Sequence, residues 1–158
     1  MDKSQAVLSF LQTCPEISAT PLFFNFGNVE DNAHQAIINS DDVALHTPFI
    51  DGSVAKRFTF SIDSFKSVAY NPVTQEYLAN DENLTEFEGV QQILNWVTAQ
   101  EKLHNYPDFG TDCIIDEMKV LTTKPELVGV DTSLNPPMAV YRLSIQIDYI
   151  DNTDKAWK

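Results

Sequence analysis

FIDGSVAKRFTFSI, residues 49–62, decides the fold. Asp51-Gly52-Ser53 separates two β-type runs, and Asp-Gly supplies the backbone freedom that a hairpin corner needs. In the second run Phe58, Phe60 and Ile62 fall on one face, with Arg57, Thr59 and Ser61 on the other. The pattern predicts a hairpin with strands at 43–50 and 54–63. A phosphate loop would place a helix N-terminus after the glycine. A strand follows here, so the corner reads as structural.

Downstream, the closing run MAVYRLSIQIDYI (138–150) alternates most clearly. Tyr141, Leu143, Ile145, Ile147 and Tyr149 line one face; Arg142, Ser144, Gln146 and Asp148 line the other. This is a half-buried antiparallel strand. Residues 113–122 read as another strand, and 123–137, with Pro125, Gly129, Pro136 and Pro137, as a long loop. A helix is predicted over about 84–103, where Leu84, Phe87, Val90, Leu94 and Val97 recur at helical spacing beside Ile93 and Trp96. Asn83 and Glu86 resemble a capping box.

Upstream, 4–13 read as a short helix with Val7, Phe10 and Leu11 on one face, stopped by Pro15. Residues 22–26 read as a strand. Residues 29–42 are ambiguous between helix and strand, and 67–82 show no strong period. The expected fold is α+β: a mostly antiparallel sheet flanked by a short N-terminal helix and a long central helix, in one domain over 1–158.

The chain of 158 residues has ten Lys and Arg against 23 Asp and Glu, a net charge of −13. A docking surface for DNA phosphates shows a basic excess instead. No apolar run approaches a membrane span. The first residues lack the basic-then-apolar layout of a signal peptide, so a cytoplasmic protein is expected. Cys14 and Cys113 match no zinc or redox spacing and read as free thiols.

His34, His46 and His104 form no close ligand pair. The acids Asp41, Asp42, Asp63, Asp81, Glu82, Asp116, Glu117, Asp148, Asp151 and Asp154 scatter over strand ends and turns. DFGTD (108–112) stands without the other parts of a kinase site. No catalytic residue, metal or cofactor is expected.

FIDGSVAKRFTFSI, then LTEFEGVQQILNWVTAQ, YPDFG and MAVYRLSIQIDYID, taken in that order, resemble the tail terminator proteins of long-tailed bacteriophages, often labelled minor capsid or head–tail completion proteins. The resemblance covers about 45–150. Segments 67–82 and 123–137 look longer than that pattern needs.

The resemblance implies a structural virion protein at the head-proximal end of the tail, assembled in the host bacterial cytoplasm. Six copies would form a ring that caps the tail tube, stops its growth and receives the head connector or stopper protein. DNA would pass through without specific binding. Asp51, Gly52 and Ser53 would then make an assembly contact. Asp51, Asp81 and Glu82 would face the channel, where like charge lets DNA slide. Alternatives are another neck component, such as an adaptor or stopper, and a small Mg²⁺-dependent hydrolase using the acids.

Overall fold

Two long strands, β3 (Val54–Ser67) and β8 (Met138–Asp151), form the spine of the molecule. They run antiparallel without a break in register, from Val54 opposite Asp151 to Ser67 opposite Met138. The computed structural model describes residues 3–18, 22–24, 34–67, 70–71, 76–77, 80–131 and 138–156. Within these elements the side chains of 22–24, 34–36, 38–41, 67, 70–71, 76–77, 80–87 and 131 lie outside the description.

Before the spine come α1 (Lys3–Leu11), α2 (Pro15–Ser18), β1 (Leu22–Phe24) and β2 (His34–Ala44). Between its strands lie β4 (Tyr70–Asn71), β5 (Glu76–Tyr77), α3 (Asn80–Lys102), β6 (Cys113–Val120) and β7 (Glu126–Asp131). The main sheet has the order β1-β2-β3-β8, and β8 then meets both β6 and β7. All its pairings are antiparallel except β1 with β2. β4 and β5 form a separate two-stranded ladder. The fold is α+β.

β6 and β7 share one edge of β8 end to end. Val120 faces Ile145, whereas Glu126 faces Arg142. Leu121 N–H still donates to Ser144 O at 2.8 Å, and the chain then leaves the ladder over residues 122–125, with Pro125 among them, which has no N–H to give it. The stretch 123–137 is thus not one long loop: six of its residues form β7.

Four more expectations are corrected. The first hairpin strand is β2 at 34–44, not 43–50, so residues 29–42, left ambiguous by their polarity, hold most of it. Asp51-Gly52-Ser53 closes a longer connection, 45–53. The main helix starts at Asn80, which puts Asn83 inside the helix and removes the capping box. Asp81 and Glu82 stand in the first helical turn rather than before it. Pro15 opens α2, where its fixed φ suits a first helical position.

The core lies between the sheet and the helices. Phe58, Phe60 and Ile62 of β3 pack with Leu143, Ile145, Ile147 and Tyr149 of β8. Val90, Ile93, Leu94 and Val97 of α3 and Val7, Phe10 and Leu11 of α1 close the same cluster. Phe10 meets Trp96 with ring centroids 5.2 Å apart. Tyr141 is half-buried at its margin. A register shift between Ile115 and Glu117 turns Met118 into the core and leaves Ile114 exposed.

Candidate functional site

The connection between β2 and β3 ends in a locked turn. Gly52 N–H donates to Phe49 O at 2.9 Å, and Phe49 N–H donates to Ser53 O at 2.8 Å. Gly52 has φ of 89°, the glycine-bulge arrangement that follows a tight hairpin turn. Asp51 Oδ1 accepts from Ser53 N–H at 3.0 Å and from Ser53 Oγ at 2.6 Å. Those bonds, the hydroxyl's foremost, hold the Asp51 carboxyl below its ordinary range.

The chain's last described residues lie across this turn. Ala156 N–H donates to Asp51 O at 2.7 Å, and Lys155 Nζ stands 3.7 Å from Asp51 Oδ2. A Cβ on Gly52 would overlap the carbonyl oxygen of Asp154. The glycine therefore serves both the turn and a close backbone approach. Asp51 and Gly52 hold the C-terminal segment, and Ser53 braces the Asp51 carboxylate. The apex beside them is apolar: Ile50 is fully exposed, and Leu45 and Phe49 are exposed with it. His46 sits edge-on to Phe49 at 5.0 Å.

Charge organises the rest of the sheet surface. Arg57 Nε and Nη2 donate to the two oxygens of Asp148 at 2.8 and 3.1 Å. Arg142 makes the same two-pronged contact with Asp63 at 2.8 and 2.9 Å. At the core margin Tyr149 Oη donates to Asp42 at 2.8 Å, and Lys3 Nζ stands 3.8 Å from the same carboxylate. Burial first, then that hydrogen bond, pushes the Tyr149 hydroxyl's pKa up, which keeps it a donor.

Asp151 gathers Lys56 Nζ at 3.0 Å, Thr153 N–H at 2.9 Å and Thr153 Oγ1 at 2.6 Å. Burial raises its pKa, but the Thr153 and Lys56 contacts outweigh burial and lower it to about 2. A depressed folded-state pKa contributes stability above the unfolded value near 3.9, and that stability fades as pH falls toward about 2. Asp151→Asn should flatten the loss of melting temperature between about pH 4 and pH 2 relative to the unsubstituted chain. Parallel acid melts of the two proteins check this; identical slopes would assign the acid response elsewhere.

Two of the other singled-out features, His104 and the DFG run, serve the fold. His104 takes the left-handed position after α3, with φ of 54°. His104 N–H reaches Glu101 O and Asn105 N–H reaches Gln100 O, a helix-closing pair. His34 lies in β2 with its side chain outside the description. In the kinase-like DFG, Asp108 accepts from Gly110 N–H, and Phe109 packs on Phe58 and Tyr149. Cys14 and Cys113 are unbridged, and burial pushes both thiols away from the reactive thiolate. Asp116 and Glu117 lie exposed on β6. Among the described residues, no three of His, Cys, Asp or Glu group as a metal site.

The structure thus joins Asp51, Gly52 and Ser53 in one clamp and does not bring Asp81 or Glu82 to it: both belong to α3, and their side chains lie outside the description. Sequence reasoning missed the partners Lys155 and Ala156, which reach the turn across about a hundred residues of chain. No family model matches this chain, and no curated protein matches it in sequence.

Proposed function

We propose that the protein is a structural assembly protein of the tail terminator kind: a ring, six copies by resemblance, at the head-proximal end of a phage tail tube. In this role it stops tube growth and receives the head connector or stopper.

The observation that carries the reading is the hairpin tip. A stiffened turn that holds Ile50 fully in water, with Phe49 exposed beside it, has the form of an assembly contact. The charge pattern agrees with a role beside passing DNA. Lys3, Lys56, Arg57, Arg142 and Lys155 each stand against a carboxylate, which competes with phosphate for them. Asp51, Asp81 and Glu82 are the acids proposed for the channel.

Mixing the purified protein with purified tail tubes tests the reading. Electron microscopy should find it on one end of each tube, and tube elongation should cease there. A protein that stays monomeric and never binds tubes would remove it.

A further inference from the structure

We infer that the cleft between α1 and the loop that follows α3 is a binding site for a guanidinium group, presented by an arginine side chain of a partner protein. The inference goes beyond the ring reading and does not rest on it. The cleft measures about 340 Å³, near the low end of the roughly 300–1,000 Å³ usual for small-ligand pockets, so it has room for one side chain. Phe10, Tyr106 and Pro107 form its apolar wall, and Gln5, Ser9 and Asp108 supply its polar atoms.

Both rings are set in place before anything binds. Phe10 is buried and packs on Trp96. Tyr106 is half-buried, and its Oη shares a hydrogen bond with His104 Nδ1 at 2.7 Å. A wall fixed in advance lowers the ordering cost of binding.

Charge selects a cation. No Lys or Arg lines the cleft. Lys3, two residues before Gln5, turns its ammonium to Asp42 and over the Tyr149 ring instead. Asp108 Oδ1 accepts from Gly110 N–H at 2.9 Å, and a carboxylate has sites for about four donors, so further ones can be met. After burial, the carboxylates of Glu101, Glu117 and Asp116 push the Tyr106 hydroxyl's pKa up, which marks a negative field at this wall. An anion is repelled there.

The cation is organic and flat. A divalent metal wants about six oxygen ligands, and the lining offers a single carboxylate. A guanidinium stacks on an aromatic face while its edge donates to a carboxylate, and it sheds water more easily than an ammonium. Free arginine would bring its own carboxylate into the negative field; an arginine within a chain does not. The occupant is therefore an arginine carried by another protein.

Titrating Nα-acetyl-arginine methylamide into the full chain at physiological salt, followed through amide resonances, tests the site. The amides of Ser9 and Gly110 and the side-chain amide of Gln5 should shift together, with millimolar affinity. The citrulline analogue, alike in shape but uncharged, the lysine analogue and free arginine should each bind at least threefold more weakly. Asp108 is exposed, and Asp108→Asn keeps an oxygen for Gly110 N–H while removing the charge; it should weaken binding at least fivefold. Tyr106→Leu should weaken it at least threefold. Shifts absent from the cleft, or spread over the whole acidic surface, overturn the site, as does unchanged affinity in Asp108→Asn. Equal binding of the citrulline or lysine analogue overturns the guanidinium, and equal binding of free arginine overturns the protein-borne source. None of these outcomes bears on tube capping, which is read on the tubes themselves.

Discussion

Ile145→Ala should lower the stability of the protein by about 2–5 kcal/mol, the range for truncating a large aliphatic side chain in a packed core. Ile145 is 1% exposed and lies opposite both Phe60 and Val120, so both flanking strands meet at it. It belongs to the cluster that Val90, Leu94 and Val97 of α3 close from above. Removing its outer carbons leaves a void between the sheet and α3, and pairing on both edges of β8 keeps the backbone from collapsing into it. Denaturant titration at constant slope measures the loss. A change below about 0.5 kcal/mol, the size of an ordinary surface substitution, would mean that this face of β8 is not the core.

Gly52→Val should cost roughly 2–4 kcal/mol through two separable effects. A β-branched residue at φ of 89° is strained wherever it stands. Its Cβ would also collide with the backbone oxygen of Asp154, so the C-terminal segment must lift off the turn. Lifting it would release the Ala156 bond to Asp51 and the Lys155 contact. Removing residues 154–158 separates the two effects: in the shortened chain Gly52→Val should show only the backbone cost, about 1–2 kcal/mol. Equal losses in both backgrounds would mean that the segment does not bear on the glycine. If the tip is an assembly contact, Gly52→Val should also impair assembly. Stoichiometric nucleotide binding abolished by this substitution would return the turn to the class of phosphate loops.

Strand identity and the buried face were legible wherever one face of a strand meets the core and the other meets water. Phe58, Phe60 and Ile62, and Leu143, Ile145 and Ile147, announce their burial through a period of two. The helix stripe Val90, Ile93, Leu94 and Val97 does so through a period of 3.6. Even the register of the spine was latent in the chain. Arg57 and Asp63 have the same spacing as Arg142 and Asp148, so one antiparallel alignment satisfies both ion pairs. Each charge taken alone fits a wet face, so only the pairing of β3 with β8 reveals the match.

Other features depend on neighbours distant in sequence. β2 carries an irregularity between Asn39 and Asp41, and its polar residues gain strand structure by pairing with β3, so local pattern misplaced it. β7 exists because the first half of β8 offers it a free edge; its own glycine and the prolines around it argue for a loop. The Asp-Gly-Ser corner was readable as a turn, since glycine and aspartate prefer that backbone. That the turn also grips the C-terminal segment rests on a contact between residues about a hundred positions apart, and only the folded sheet, which brings Val54 opposite Asp151, places them together. The sequence by itself thus determined which faces are apolar and where the chain turns, because those follow from local periodicity and backbone preference. The tertiary structure alone decided which turns meet and which apolar residues remain outside, because pairing across the sheet settles both.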